Sequence, residues 1–374
     1  KRFFLAAFGD AVWKFCVVGF LVVGAALAKD SAQMLMWGLV AGSVCKFATH
    51  LLGLRDKLSL FRPTLDFSHP AFKRLCWLAL PLLAGIIMAK VRDLINNVYL
   101  LSKLDESGLM QANSMGRKLQ STLLFLVPYT LSIAVFPFFC ELVDRNDRAS
   151  LGRLVTRFGR MLLAVFVPFA LFVAVAAVPL TSLIFKGGHF DAVAVQRTAV
   201  SLSFYTFMLP AAAIEMLVMQ AFFANRRMLA VTVIGILFSS LSVLISWVGL
   251  QMCGGHDLLL LAFIAGGFTL SRTFKCFTLV EMLKKNAPVF PFFETLVFVS
   301  RLTLASALAG GLCWVAMRGL HGVAGLSGRM GDLLKLGTAG AVFCAVYLAC
   351  AYALRIGELY ELFAFALQRI RKRA

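Results

Sequence analysis

Apolar runs long enough to cross a lipid bilayer recur along almost the whole chain. A spanning helix needs about 20 such residues, and ten segments reach that length: roughly 3–28, 32–54, 72–101, 117–143, 161–184, 199–224, 229–252, 257–283, 294–318 and 333–356. Inside a bilayer every backbone N–H and C=O must find its partner within the protein, which leaves helices or closed barrels. Barrel strands would alternate in polarity and run about half as long. The pattern therefore predicts an all-α polytopic membrane protein of about ten transmembrane helices. The longest connections, 55–71 and 144–160, are too short to hold an inserted soluble domain.

Composition agrees. Of 374 residues, 60% are hydrophobic and 15% charged, against about half and a quarter in soluble domains. Disorder, a disulfide scaffold and an ordinary cytosolic enzyme are excluded. The net charge of +19 has no long polar surface to sit on, so nucleic-acid binding is not expected. Its first use is topology. Alternate connecting segments carry 20 Lys and Arg on one side and 8 on the other. The richer set, from Lys1 and Arg2 through Arg145–Arg160 to Arg369–Arg373, marks the cytoplasmic face. Both ends of the chain are expected there.

The nine cysteines are scattered and mostly intramembrane, where a free thiol acts as a small hydrophobe. The five histidines show no ligand spacing, and no phosphate-binding loop, nucleophile elbow or carboxylate pair stands out. No enzymatic activity, metal or cofactor is expected, although coupling to an ion or to the membrane potential fits such a chain. The first residue is Lys and a span follows at once, so the sequence is expected to begin partway through a longer protein.

Two basic segments have helical apolar periodicity. In 148–162, Leu151, Leu154, Val155, Phe158 and Leu162 recur at spacings of three and four, with four arginines between them. In 357–373, Leu359, Leu362, Phe363, Ala366, Leu367 and Ile370 precede Arg371, Lys372 and Arg373. Both are expected to lie in the membrane interface with cations toward anionic lipid headgroups. The alternative is a helix end running into a solvated loop.

Charge at membrane depth costs at least about 2.5–3.5 kcal/mol per residue, so such residues face a cavity or a partner. Lys90, Arg92 and Asp93 sit near the middle of the third span, followed by Asn96 and Asn97. Lys90, Asp93 and Asn97 share a face, and Lys90 is placed to pair with Asp93. Arg117 and Lys118 open the fourth span. Glu215 lies deep in the sixth, either protonated, cavity-facing or paired with a cation from another helix. Lys46, His50, Arg272 and Lys275 are expected to snorkel toward an interface. A cavity lined by Lys90, Arg92, Arg117 and Lys118 implies an anionic, phosphate-bearing ligand. Prolines at 81, 128, 137, 168, 179 and 210 supply the bends that alternating-access transporters use.

Several stretches resemble the MurJ (MviN) lipid II flippase family. L-D-E-S-G-L-M-Q-A-N-S-M-G-R-K-L (104–119), running to F-P-F-F (136–139), is similar to its seventh-to-eighth helix region and includes Gly108. P-L-T-S-L-I-F-K-G-G-H-F-D (179–191) is similar to the end of its ninth helix, with Gly187, Gly188, Phe190 and Asp191 as structural motif positions. L-S-F-Y-T-F-M-L-P (202–210) and Q-A-F-F-A-N-R-R-M (220–228) look like its tenth helix and following turn.

The resemblance covers nearly the whole chain and implies its last ten helices. Residues 1–54 would be the last two helices of an N-terminal lobe and 55–71 a linker. Residues 72–283 would form a six-helix C-terminal lobe, 294–356 two extra helices forming a lipid-tail groove, and 357–374 a basic tail. It implies an inner-membrane transporter moving an undecaprenyl-pyrophosphate-linked peptidoglycan precursor by alternating access. It places the family's cavity arginine on Lys118, where a lysine keeps the charge but loses the bidentate fork. Tyr99 stands where relatives often have Asp, and N-R-R-M-L (225–229) departs from the usual D-x-x-T-P turn.

Two other readings fit the same residues. One is a flippase for another polysaccharide-linked lipid or a MATE-like exporter. The other is a non-transporting membrane scaffold, whose intramembrane cations would pair internally and leave no cavity. No protein partner is implied.

Overall fold

A computed structural model describes residues 3–27, 31–55, 67–104, 108–124, 128–188, 190–321 and 328–359. Among them there are thirteen α-helices, a π turn and a 3-10 turn, with no strand beyond an isolated bridge between Gly187 and Phe190. Among the described residues, eight helices are long and apolar enough to cross a membrane, or nine if one bent pair counts as a single span. The chain divides into two compact units, Lys1–Arg74 and Leu75–Ala374.

The first unit is built on a hairpin of α1 (Phe3–Ala26) and α2 (Ser31–Leu54). Gly38 and Gly42, one turn apart on α2, let the backbones approach. A Cβ on Gly38 would lie 3.1 Å from Val17 Cα, and one on Gly42 2.9 Å from the Trp13 carbonyl oxygen. Small residues four apart serve helix pairs in lipid because dispersion, not water release, drives association there. Lys46 on α2 pairs with Asp10 on α1. The expected snorkelling of Lys46 is thus replaced by an ion pair within the hairpin.

The second unit begins in α3 (Pro70–Leu94), which runs through the π turn Ile95–Leu100 and the 3-10 turn Leu101–Lys103. Gly108, at φ +85°, turns the chain into α4 (Leu109–Leu124). The expected span 117–143 is covered by α4 (Leu109–Leu124) and α5 (Thr130–Asp144), with residues 125–127 outside the described residues.

The largest correction concerns 148–184. No separate interfacial helix exists over 148–162. Instead α6 (Arg148–Val175) is one continuous helix, and short α7 (Ala177–Phe185) follows. The apolar stripe has the right period but a different partner. Leu151, Val155 and Leu162 are buried in the main core with α9 and α11 residues. Periodicity reveals a buried face without saying whether lipid or protein covers it. The counterpart at 357–373 falls largely on residues 360–374, outside the described residues.

The expected span 199–224 is α8 (Ala192–Thr206) and α9 (Leu209–Ala224), bent by 46°. Pro210 occupies the first turn of α9, where its missing N–H costs no hydrogen bond. Helices α10 (Met228–Met252) and α11 (Asp257–Lys284) form an antiparallel pair, as do α12 (Phe292–His321) and α13 (Gly328–Ala353). The α12–α13 pair rests on α6 through Leu302, Ala305, Ala309 and Phe343, and Tyr347 donates from Oη to the Ala164 carbonyl oxygen at 2.6 Å.

Candidate functional site

Helices α3, α4, α9, α10 and α11 enclose a cavity of about 330 Å³. Its apolar lining comes from Leu82, Ile86, Met219, Phe223, Phe238 and Phe268. Four cations line it: Arg92 from α3, Arg117 from α4, and Arg272 and Lys275 from α11.

The cations form two clusters, each around one carboxylate. Asp93 accepts from Arg117 Nη1 at 2.9 Å on Oδ1 and from Nη2 at 3.1 Å on Oδ2. The same Oδ1 accepts from Arg92 Nη2 at 2.8 Å. Both guanidinium groups lie over the Phe268 ring, with Arg92 Cζ at 4.5 Å and Arg117 Cζ at 4.8 Å from its centroid. The negative face of an aromatic ring stabilises such cations when they are partly desolvated. In the second cluster, Glu215, 2% exposed, accepts from Arg272 Nε at 2.6 Å and pairs with Lys275 Nζ at 2.7 Å. Four cations thus face two carboxylates, and an excess of positive charge remains in the cavity wall.

Polar groups extend the site. Ser239 accepts a long bond from Arg92, and Asn96 donates to Ser242 at 3.4 Å. Asn113 donates from Nδ2 to Asn97 Oδ1 at 2.7 Å. Ser271 is 3% exposed and lines the cavity, yet its Oγ has no hydrogen-bond partner. Buried hydroxyls are ordinarily satisfied, so this one is available to a ligand or to water.

The sequence-predicted residues divide. Arg92 and Arg117 line the cavity; Asp93 pairs with both, Asn96 donates to the lining Ser242, and Asn97 accepts from Asn113 outside the lining. Glu215 is the cation-paired alternative of the three that its sequence position left open. Lys90 and Lys118 are exposed and outside this cavity's lining, and Asp93 pairs with Arg92 and Arg117, where a pairing with Lys90 was expected. The cation that α4 presents is Arg117, which retains the bidentate fork that Lys118 would lack.

Arg272 and Lys275 are the residues that sequence reasoning misplaced. Both were expected to snorkel. Arg272 stands 12 residues from the end of α11 at Lys284, about 18 Å at 1.5 Å per residue, beyond the reach of its stem. Their spacing of three also places them on one face. Those two signals were present in the sequence.

The remaining motif positions build a turn. Gly188 adopts φ +57°, a left-handed conformation suited to glycine. Gly187 and Phe190 exchange backbone hydrogen bonds, and the Phe190 ring lies 5.7 Å from that of Phe185. Asp191 caps α8 by accepting from the Ala194 N–H at 2.8 Å.

The chain is similar to known proteins in fold and in sequence. A solved structure of a lipid II flippase MurJ in an inward closed conformation is similar in fold, with a TM-score of 0.68 and 14% identity over 95% of this chain and 68% of that one. An outward-facing multidrug resistance transporter of the MATE family and MOP superfamily gives a TM-score of 0.45 at 14% identity over 78% of this chain and 67% of that one. In sequence, the lipid II flippase MurJ of Burkholderia cenocepacia is 26% identical over 209 residues, 55% of this chain and 40% of that protein. The aligned region thus spans about two-fifths of that relative's length. The family model for the lipid II flippase MurJ matches residues 1–326, and this chain belongs to that family.

Proposed function

We propose that this chain is part of an inner-membrane flippase for an undecaprenyl-pyrophosphate-linked peptidoglycan precursor, working by alternating access. The observation that carries this reading is the cavity with four cations for two carboxylates. The fork with which Arg117 holds Asp93 is also the fork that binds a phosphate group. An entering pyrophosphate would take over N–H donors now used by Asp93 and Glu215, so the carboxylates keep the cations oriented while the site is empty. Ser271 supplies one more donor. The scaffold reading requires internal pairing, which is present, and a closed interior, which is not: about 330 Å³ stays open beside the paired cations.

Complementation of a flippase-depleted bacterium by the gene encoding this chain tests the proposal. The parent is expected to restore growth. Arg117→Ala and Arg272→Ala are expected to fail at unchanged membrane levels, with partial recovery in Arg117→Lys. Rescue by both alanine variants would remove the site assignment. No rescue by a well-expressed parent would overturn the function.

A further inference from the structure

One residue of the cavity wall carries neither charge nor polar atom, yet two cations and a second ring converge on it. Phe268 of α11 is 6% exposed and lines the cavity with Ser271 and Arg272 of the same helix. Arg92 Cζ lies 4.5 Å and Arg117 Cζ 4.8 Å from its centroid, so cations from α3 and α4 share one aromatic ring. The buried ring of Tyr205, from α8, makes a T-shaped contact with it, centroids 5.7 Å apart and planes at 78°. Immediately before it, Gly267 lets α11 approach α10 closely, since a Cβ there would lie 2.8 Å from Ile245 Cγ2. The α11 backbone is thus held against α10 at this level, and Tyr205 braces the ring.

Asp93 and Phe268 hold the same two cations in different ways. Asp93 occupies N–H donors, Nη1 and Nη2 of Arg117 and Nη2 of Arg92. An entering phosphate competes with it for those donors. The ring occupies none of them. It attracts a cation through its negative face, and a guanidinium lying on a ring keeps its planar N–H edge for bidentate bonding. An anion can therefore displace Asp93 without displacing Phe268. Two guanidinium groups released from one carboxylate repel each other, and the neutral ring still draws both to one place. Each fork matches the oxygens of one phosphate group. Two forks against one ring match two phosphates joined through a shared oxygen, whereas a single phosphate engages one fork and leaves the other cation uncompensated.

We infer that Phe268 is a positioning residue that sets the cavity's preference for a diphosphate over a single phosphate, by keeping Arg92 and Arg117 side by side when Asp93 lets go. The inference rests on the proposed function, since it takes the cavity to be an anion site. It adds an uncharged specificity determinant that acts through the two arginines. Packing alone is the competing account. Phe268 belongs to the main core with Tyr205, Met208 and Ala265, and a residue that only filled space would affect every anion alike.

The test measures calorimetric binding of inorganic pyrophosphate and of inorganic phosphate to the purified full chain in detergent. The parent is expected to prefer pyrophosphate. Phe268→Leu should weaken pyrophosphate binding about tenfold and phosphate binding much less, so that the preference collapses. A ring-fluorinated phenylalanine at position 268 keeps the shape of the side chain and withdraws the negative face on which the attraction depends. It keeps the experiment decisive if Phe268→Leu fails to fold, and it should show the same selective loss. A parent-like preference in the fluorinated protein would overturn the inference. An equal loss for both anions would also overturn it and return Phe268 to core packing. Absence of pyrophosphate binding by the folded parent would remove the anion reading of the cavity itself, an outcome distinct from binding whose preference the ring does not control.

Discussion

Arg117 holds Asp93 with both arms of its guanidinium, Nη1 to Oδ1 at 2.9 Å and Nη2 to Oδ2 at 3.1 Å, joining α4 to α3 beside the candidate cavity. Arg92 adds a second cation to the same carboxylate. Removing the Asp93 charge would leave two guanidinium groups side by side against one ring, Phe268.

Asp93→Asn is therefore expected to destabilise the protein. Breaking a fully buried pair costs about 3–5 kcal/mol. Because the Asp93 and Arg117 side chains are each 27% exposed, solvent screening reduces the expected loss to about 1–3 kcal/mol. Thermal unfolding of the purified protein checks it, in a cycle with Arg117→Gln. If the two losses simply add, the fork is not the coupling between these helices.

Glu215 gives a stronger test, since it is 2% exposed and neutralises both Arg272 and Lys275. Glu215→Gln is expected to cost at least about 3 kcal/mol, because it leaves two partly buried cations uncompensated. Adding Lys275→Met should recover part of that loss. Unfolding midpoints of the single and double variants decide the matter, and a Glu215→Gln protein as stable as the parent would show that the cluster is not neutralised through this carboxylate.

The charged clusters also show what the sequence could and could not reveal. The depth of Arg92, Asp93 and Glu215 in apolar runs marked them as functional or paired before any partner was visible. Which partner each takes depends on helix rotation. Lys118 and Arg117 are adjacent in sequence but about 100° apart on a helix, so a one-residue difference separates an exposed cation from one in the cavity wall. Continuity was harder still. The stripe Leu151, Val155 and Leu162 has the same spacing against lipid or protein, and only the folded α6 shows that α9 and α11 residues cover it.

That packing makes α6 sensitive at its glycines. A Cβ on Gly152 would lie 2.4 Å from the Pro288 carbonyl oxygen, a backbone atom held by the turn before α12. A Cβ on Gly159 would lie 2.4 Å from Phe290 Cζ, on a ring that can rotate and shift. Both alanine substitutions overpack the contact, at about 1–3 kcal/mol, and Gly152→Ala is expected to be the worse because backbone must move. Comparing the two by thermal unfolding tests this ordering. The reverse order would mean that the 288–290 turn yields more easily than the Phe290 ring.

The other end of the same contact begins with Asp147, which caps α6 by accepting from the Ser150 N–H at 2.9 Å on Oδ1. Hydrogen bonds from Ser150, with Arg153 nearby, hold its carboxyl below the ordinary value of 3.8. A carboxylate with a lowered folded-state pKa binds protons more weakly when folded than when unfolded. Its contribution is thus complete above the ordinary value and lost as pH falls through the lowered one. Asp147→Asn keeps an oxygen acceptor but removes the titration. The parent's stability advantage over Asp147→Asn is expected to be constant from about pH 7 to 5 and to shrink below about pH 4. The whole effect should be smaller than that of Asp93→Asn, because it weakens one cap hydrogen bond and breaks no ion pair. Unfolding midpoints of both proteins across this range measure it, and an advantage that grows on acidification would contradict the cap as the source.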